Sequence, residues 1–380
     1  MSTTSRATLP ISPSRAARTA SKQLANVRWA LLVAVVLLAA IGLATIHSAT
    51  SELGGGFAAR QGFWIALGLV FLAIFVYLDY RVLMDISLVL YAIGILALIL
   101  VLIVGQVRGG ARSWLGIGSL GGQPSEFMKL ATLLVLARYF SRTHQKYLTL
   151  PEIAVGAAVV GLPMVLTAIE PDLGGALMFL PIVGGMILVA GVRARTLVVL
   201  LLVGALGGLG LFYGGLKDYQ RQRILTYFSP QTDILGAGYQ VHQSKIAVGS
   251  GQLAGRGYMQ GTQSQLRFLP ARHTDFIFSV LAEEWGFLGV ITVLGLYALY
   301  MANAAAIAAR ARDRAGILLV AGLLSGFAAH VLYNTAMVIG LMPNTGIPLP
   351  FLAYGGSFAL LNFVGAGMIL SVDLRRHVNR

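Results

Sequence analysis

Ten apolar stretches of roughly membrane-spanning length dominate this sequence and restrict its fold. A helix needs about 20 apolar residues to cross the hydrocarbon core of a bilayer. Only 11% of the 380 residues are charged and the mean hydropathy is +0.78, whereas a soluble domain carries roughly 25% charged residues. The sequence therefore predicts an all-α polytopic membrane protein and excludes a soluble globular enzyme. The stretches are approximately Trp29–His47, Phe63–Leu78, Leu83–Val104, Pro124–Phe140, Ile153–Ile169, Leu173–Ala190, Thr196–Tyr213, Phe276–Tyr300, Ile317–Ile339 and Phe351–Val372.

Lys and Arg are distributed unevenly between the two sides of the predicted bundle. If the N terminus lies in the cytoplasm, the short inside segments carry far more of them than the short outside loops. Cytoplasmic loops of membrane proteins collect Lys and Arg. The chain is therefore predicted to be N-in and C-in. This bias explains most of the net charge of +14 without a nucleic-acid partner.

The topology divides the chain into three regions. Residues 1–27 contain no acid and are rich in Ser, Thr, Ala and Arg; this composition fits a transit peptide or a disordered cytoplasmic tail, which we favour. Residues 28–373 are predicted to form one transmembrane domain with a large extracytoplasmic loop at 214–275, and residues 374–380 form a second cytoplasmic tail. Cysteine is absent, which excludes disulfides, thiolate metal sites and a cysteine nucleophile.

Charged side chains inside a membrane span are costly and are candidates for function. Glu126 and Lys129 lie three residues apart on one helix, close enough to pair. They form either a structural ion pair or the charged wall of a polar cavity in which Lys129 lies near a phosphate. Asp172, within Glu170–Gly174, fits the N terminus of a helix, where an acid complements the helix dipole.

The loop at 214–275 has a basic excess on the outer side, against the trend of the short loops. Two interpretations stay open: attraction to lipid headgroups, or a site for an anionic substrate presented from the outer leaflet. Tyr239–Val248 mixes apolar and polar positions, which is compatible with a segment lying flat at the membrane surface. The basic residues of the loop are Lys217, Arg221, Arg223, Lys245, Arg256, Arg267 and Arg272.

Asp275 lies where this loop meets the eighth apolar stretch. Either Thr274 or Asp275 caps the helix that follows, or Asp275 acts as a general base. Glu283 and Glu284 lie deeper in the span, and at most one of them is expected to face a cavity because adjacent helical residues point to different faces. Three basic side chains are expected around Asp275: Arg267, Arg272 and His273.

The sequence offers little for a metal or an organic cofactor. No ligand spacing such as H-E-x-x-H occurs, so no metal site built from the protein alone is predicted. Binding of a divalent cation, Mg or Mn, together with a phosphorylated substrate stays open, because such an ion needs only one or two protein carboxylates.

Six motifs follow one another along the chain in a specific order: Arg112–Leu115, Gln123–Glu126, Glu170–Gly174, His273–Phe278, Ala282–Glu284 and Gly346–Ser357. Taken together, these motifs resemble the SEDS family of bacterial shape, elongation, division and sporulation proteins. The resemblance extends over nearly the whole chain from the first span on. One departure is Ala271, where family members often carry an acid. Five segments favour the elongation (RodA) branch over the division (FtsW) branch: Gly236–Val241, Gln243–Ala247, Gly261–Leu266, Arg272–His273 and Met342–Pro343.

The resemblance implies a peptidoglycan glycosyltransferase that polymerises lipid II at the outer face of the bacterial cytoplasmic membrane during elongation and rod-shape maintenance. The implied partners are lipid II, the undecaprenyl-linked glycan strand, a class B penicillin-binding protein that cross-links the product, and other membrane proteins of the elongation complex. The essential aspartate of the family maps onto Asp275.

On this interpretation Asp275 is the catalytic base. The candidates for binding the substrate or its pyrophosphate are Arg112, Lys129, Arg223, Lys245, Gln243 and Ser244. The expected supporting residues are Glu126, Asp172, His273, Thr274 and Glu283. A flippase for a lipid-linked precursor and a non-enzymatic scaffold stay open as alternatives. The ionisable residues cluster toward the outer end of the spans, which favours chemistry at the surface over transport.

Overall fold

The computed structural model describes residues 28–108, 111–117, 120–143, 145–215, 237–266 and 268–375, together with Arg221, Leu225 and Tyr227. Three short strands, β1 (Gln106–Arg108), β2 (Ala111–Ile117) and β3 (Leu120–Gly122), accompany the helices. The helices are α1 (Trp29–Thr50), α2 (Phe57–Tyr77), α3 (Tyr80–Asp85), α4 (Ser87–Val104), α5 (Pro124–Ser141), α6 (Leu150–Ile169), α7 (Leu173–Leu177), α8 (Phe179–Ala190), α9 (Ala194–Gly214), α10 (Ala237–Ser250), α11 (Thr262–Gln265), α12 (Ile277–Arg310), α13 (Arg314–Val338) and α14 (Gly356–Arg375).

The predicted apolar stretches all fall on helices. Among the described residues, nine spans are long and apolar enough to cross a membrane, with α7 and α8 counted as one. Helix α5 is not one of the nine, because it carries Glu126, Lys129 and Arg138. It nevertheless packs inside the bundle against α4 and α13. The all-α polytopic fold predicted from the sequence is confirmed.

The core of the bundle lies between four helix pairs: α2 with α14, α8 with α13, α1 with α12, and α4 with α5. Small residues permit the close approaches, as expected where helices associate by packing inside a membrane. A side chain at Gly68 of α2 would collide with the ring of Phe363 on α14. Helix α9 differs from the others, because none of its residues is buried.

The structure differs from the sequence-based expectation in three places. The connection between α4 and α5 forms an antiparallel sheet in the order β1-β2-β3. The third predicted stretch is divided between α3 and α4. The last span begins at Gly356 and not at Phe351, because Phe351 has a φ of 62°, which lies outside the right-handed helical region.

Helix α12 is interrupted at Gly286, whose backbone angles are φ 63° and ψ −161°. The break leaves carbonyl groups before it and N–H groups after it without their hydrogen bonds within the helix. The segment 252–257 of the long loop replaces the missing helical bonds: the N–H groups of Arg256 and Gly257 donate to the carbonyls of Glu283 and Glu284 at 2.9 and 3.0 Å. In return, Phe287 and Leu288 donate their N–H groups to carbonyls of the same segment. The long loop is therefore fixed to the span that follows Asp275.

Replacing Gly286 with alanine is expected to destabilise the protein by about 2 kcal/mol or more. Alanine is strained in this region of backbone angles, which is essentially confined to glycine, and its Cβ would collide with the backbone of Gly255. The matched control is Gly204→Ala on α9, where a Cβ would meet no atom within 4 Å. Thermal unfolding of the purified variants measures the difference. Equal melting temperatures for the two variants would contradict the role of Gly286.

Candidate functional site

A cavity of about 560 Å³ opens at the end of the bundle that carries the long loop, called here the loop end. Its wall is built from β2, the start of α5, the turn before α7, the first turn of α10, the segment before α12, and the connection between α13 and α14. Five of the candidate residues line it although the sequence separates them widely: Glu126, Lys129, Asp172, Thr274 and Asp275. This space is called the site cavity.

Glu126 and Lys129 form the buried floor of the site cavity. The Nζ atom of Lys129 lies 2.6 Å from Oε1 of Glu126, and the two side chains are only 8% and 10% exposed. Pro124 begins the helix and sets these residues in its first two turns. The pair is therefore a buried ion pair that also lines a polar cavity. The phosphate expected near Lys129 stays a prediction.

Asp172 lines the site cavity and has two hydrogen-bond partners. Its Oδ1 accepts from the N–H of Gly175 at 2.8 Å, and its Oδ2 accepts from Nε2 of Gln123 at 2.6 Å. The first bond caps helix α7, as the sequence predicted. Gly174 lies against the carbonyl of Thr345, where any side chain would collide. This explains why the turn places a glycine after Asp172 and Leu173.

Asp275 stands at the mouth of the site cavity on a fixed backbone. Its carbonyl accepts from Nδ2 of Asn334 at 2.8 Å, and the same amide donates to the carbonyl of Ile347 at 2.8 Å. Asn334 of α13 thereby joins the segment before α12 to the connection before α14. A Cβ at Gly346 would lie 3.7 Å from Oδ2 of Asp275. A side chain at position 346 would therefore contact the carboxylate of Asp275.

The expected ring of basic side chains around Asp275 is not formed by Arg272. This residue is buried, and its Nε donates to the carbonyl of Ala49 at 2.6 Å while Nη1 donates to the carbonyl of Ser264. The prediction was wrong because Arg272 satisfies a carbonyl at the C-terminal end of α1, which a helix leaves without an internal partner. Arg267 lies outside the described residues.

His273 does not line the site cavity, although it contacts Tyr354, which does. Its ring lies 5.2 Å from Phe57 and 5.7 Å from Tyr354, measured between centroids. Burial, with a smaller contribution from Arg272, lowers the pKa of His273 below its usual value. A neutral ring packed between aromatic side chains holds the segment in place and adds no charge near Asp275.

Glu283 is buried and contacts the long loop instead of the site cavity. It accepts from the hydroxyl of Thr262 at 3.1 Å and from the backbone N–H groups of Gln263 and Ser264 at 2.9 and 3.3 Å. Three donors at the start of α11 thus surround one carboxylate. Glu283 orients the loop that packs behind the site.

The candidates on α10 lie beside the site cavity and do not line it. Ser244 is buried, and its Oγ lies 2.8 Å from Oγ of Ser279 and donates to the carbonyl of Val338 at 2.7 Å. The side chain of Lys245 passes over Gly340, and Gln243 is half-buried. One turn earlier, Gln240 does line the cavity. Arg223 lies outside the described residues, and Arg112 lies on β2 without a described side chain.

Several lining residues were not among the candidates: Ser113, Trp114, Gln240, His330, Tyr333, Asn344 and Ser357. His330 could have been found, since it is an ionisable residue inside a predicted span. Its Nδ1 lies 3.2 Å from the carbonyl of Pro348. Ser113 and Trp114 belong to a family motif but lie on a strand that the sequence did not predict.

The described residues contain no cluster of three or more His, Asp or Glu side chains that could hold a metal ion. Three carboxylates do line the site cavity: Glu126, which is paired with Lys129, and Asp172 and Asp275. Carboxylate oxygens are the ligands that Mg²⁺ prefers, and it is commonly bound by one or two of them with substrate phosphates completing its shell. The donor set therefore fits a cation that arrives with a phosphorylated substrate.

Glu170, next to the turn that carries Asp172, is buried, and neither of its carboxylate oxygens has a hydrogen-bond partner among the described residues. Burial, with the charge of Asp172, raises the pKa of Glu170 to about 8. The carboxyl group is therefore protonated in the folded protein at pH 7.

Stability is expected to fall as the pH rises through the range between the ordinary pKa of a glutamate, 4.5, and about 8. In this range the unfolded chain has released the proton of Glu170 while the folded chain retains it, so unfolding releases a proton. The slope is at most about 1.4 kcal/mol per pH unit. Melting curves of Glu170→Gln should lack this slope. An unchanged slope in the variant would show that Glu170 does not titrate in this way.

Three comparisons identify relatives of the chain. A family model described as "Cell cycle protein", which groups FtsW, RodA and SpoVE, matches residues 24–378. Peptidoglycan glycosyltransferase MrdB of Escherichia coli K12 is 39% identical over 313 residues, which are 82% of this chain and 84% of the relative. Peptidoglycan glycosyltransferase RodA of Treponema pallidum is 33% identical over 423 residues, 92% of this chain and 98% of the relative.

Solved structures agree with the sequence comparison. A chain of a peptidoglycan synthase complex that coordinates polymerization and crosslinking superposes with a TM-score of 0.80 at 32% identity, covering 93% of this chain and 99% of that chain. The rod shape determining protein RodA of Thermus thermophilus superposes with a TM-score of 0.69 at 30% identity, covering 92% and 98%. The chain therefore belongs to the SEDS family of multi-pass membrane proteins, and within it to the RodA type.

Proposed function

We propose that this protein is a peptidoglycan glycosyltransferase that polymerises lipid II during elongation of a bacterial cell. One observation carries the proposal: Asp275 and the Glu126–Lys129 pair line the same cavity at the loop end of the bundle. A carboxylate and a cation in one space match a reaction that needs a base and releases a phosphate. The relatives named above as peptidoglycan glycosyltransferases support the same assignment.

The loop end faces the exterior of the cytoplasmic membrane. This orientation rests on the concentration of Lys and Arg in the short segments at the other end of the bundle, which marks the cytoplasmic side. The site cavity then opens toward the periplasm, where a lipid-linked saccharide in the outer leaflet reaches it.

The reaction transfers a glycan from an undecaprenyl pyrophosphate donor to an acceptor sugar. The 4-hydroxyl oxygen of the acceptor GlcNAc forms a bond to the anomeric carbon of the donor MurNAc. The bond between that carbon and the pyrophosphate oxygen breaks, and undecaprenyl pyrophosphate leaves with its electron pair. Asp275 accepts the hydroxyl proton, and Lys129 stabilises the charge that develops on the leaving group.

A partner and a cation complete the proposal. The structural relative found in a peptidoglycan synthase complex supports a class B penicillin-binding protein as the partner that cross-links the strands. Asp172 and Asp275 would hold a Mg²⁺ or Mn²⁺ ion that arrives with the substrate, and the ion would add positive charge near the leaving group. No nucleic acid or organic cofactor takes part.

The experiment that tests the proposal uses the purified chain with its penicillin-binding protein, made inactive for both transpeptidation and glycosyl transfer. Lipid II is added, and a gel resolves the glycan strands. We expect strands that depend on the presence of the chain. An intact complex that makes no strand would contradict the proposal.

The same preparation distinguishes the alternatives. A flippase would move labelled lipid II between the leaflets of vesicles and make no polymer. A scaffold would do neither, and variants of Asp275 would leave cell shape normal.

A further inference from the structure

A second cavity, of about 90 Å³, adjoins the site cavity deeper in the membrane. The two cavities share Glu126, Lys129, His330 and Phe358, so the polar floor of the first is the roof of the second. Below this floor the wall is mostly apolar. Leu133 lies one turn of α5 below Lys129, about 6 Å along the helix axis. This second cavity is called the slot.

The slot lies between α5, α13 and α14, with contributions from α8 and α12. Leu130, Leu323 and Leu361 line it and are only half-buried, so apolar surface remains accessible there. Glycines, Gly322 and Gly326 of α13, form part of the wall. Apart from Glu126, Lys129 and His330 at the shared floor, the lining side chains are apolar except Tyr300 and Asn362.

The apolar part of the slot, away from the shared floor, suits a slender apolar group. An engineered cavity of about 150 Å³ lined by similar side chains stays dry and takes up benzene. A five-carbon isoprene unit has fewer carbon atoms than benzene and is branched and narrow. Side chains that face an empty space lack dispersion contacts, which a guest of this shape would supply.

We propose that the slot receives the isoprene units next to the pyrophosphate of the lipid-linked substrate. This assignment rests on the proposed function and on the continuity of the two spaces. A pyrophosphate bound at Lys129 would place its own hydrocarbon chain at the top of the slot. A phospholipid also carries a phosphate, and it is the competing occupant that the crosslinking experiment distinguishes from the prenyl chain.

The slot aligns the substrate and adds little affinity. A prenyl chain that leaves the bilayer for the slot exchanges one apolar medium for another, so burial alone gives no net gain. Its effect is to fix the distance between the anomeric carbon and Asp275. A misplacement of about 1 Å can lower a rate by about 100-fold.

Photo-crosslinking identifies the occupant directly. A photoreactive diazirine analogue of leucine, which keeps the size of the native side chain and leaves the slot open, replaces Leu361 in the full chain. The protein is reconstituted in vesicles of defined phospholipids with lipid II, and the adduct is analysed by mass spectrometry. The matched control carries the same residue at Leu206 of α9, which is 68% exposed. Prenyl adducts at position 361 in excess of those at position 206 support the slot. Phospholipid adducts only, or no difference between the positions, would overturn it.

Filling the slot tests its role in the reaction. Leu361→Trp is expected to lower kcat/KM for polymerisation by about 10- to 100-fold while Leu206→Trp leaves it unchanged. Leu130→Phe fills the slot from α5 and serves where the tryptophan variant does not fold. Full activity of a folded slot-filling variant would overturn the inference. Failure of the proposed function is a different result, because the unmodified chain would then make no polymer.

Discussion

Asp275→Asn is expected to abolish detectable glycan strands while the protein remains folded. Asparagine keeps the shape of the side chain, but its amide cannot accept the proton of the acceptor hydroxyl. General base catalysis is typically worth about 10²–10⁴ in rate, and a loss of that size removes strands from a gel. The backbone bonds that hold position 275, from Asn334 to its carbonyl among them, do not depend on the carboxylate.

The measurement compares three proteins in the lipid II assay: the unmodified chain, Asp275→Asn and Asp85→Asn. Asp85 is a matched control because its side chain is 76% exposed at the other end of the bundle, 3.9 Å from Arg138. Melting temperatures of all three verify that they are folded. Strands of normal yield from folded Asp275→Asn would refute its role as the base and leave the assignment of the enzyme intact.

The spans could be predicted from the sequence because hydropathy is local and the bilayer sets the length of a helix. The floor of the site cavity could be predicted for a related reason. Glu126 and Lys129 are charges inside an apolar stretch, and such residues rarely occur without a cavity or a partner. Asp172 and Asp275 were found at the ends of spans, where the polar wall of a membrane cavity has to begin.

The contacts that could not be predicted join distant parts of the chain. Arg272 is 223 residues away from Ala49, whose carbonyl it binds, and nothing in the neighbourhood of Arg272 indicates that partner. The same holds for the break at Gly286, which is stable only because the long loop supplies hydrogen bonds to both sides of it. A single glycine in an apolar stretch does not indicate that the helix is broken there.

The choice between residues on α10 shows a third limit. The family resemblance drew attention to the segment of Gln243, Ser244 and Lys245, yet Gln240 is the residue of that helix that reaches the site cavity. Its Oε1 accepts from Nδ2 of Asn344 at 2.9 Å. A family motif indicates which helix lies near the site, but the packing of that helix against its neighbours decides which of its turns lines the site cavity.

Lys129→Met is expected to have the largest effect on stability. It leaves Glu126 buried without its partner, and removal of one member of a buried ion pair typically costs about 3–5 kcal/mol. The matched control is Arg81→Met, which breaks an exposed pair with Asp313 at 3.9 Å; exposed pairs contribute about 1 kcal/mol or less. Unfolding by heat or denaturant measures both variants.

The double variant Lys129→Met with Glu126→Gln separates the two roles of the pair. With both charges removed, no uncompensated charge is buried, so most of the lost stability should return. Activity should not return, because the cation that faces the leaving pyrophosphate is still absent; loss of one electrostatic contact to a developing charge typically costs about 10²–10³ in rate. A stable double variant with normal polymerisation would show that the pair is structural only, and the leaving group would then need another cation from the wall of the site cavity.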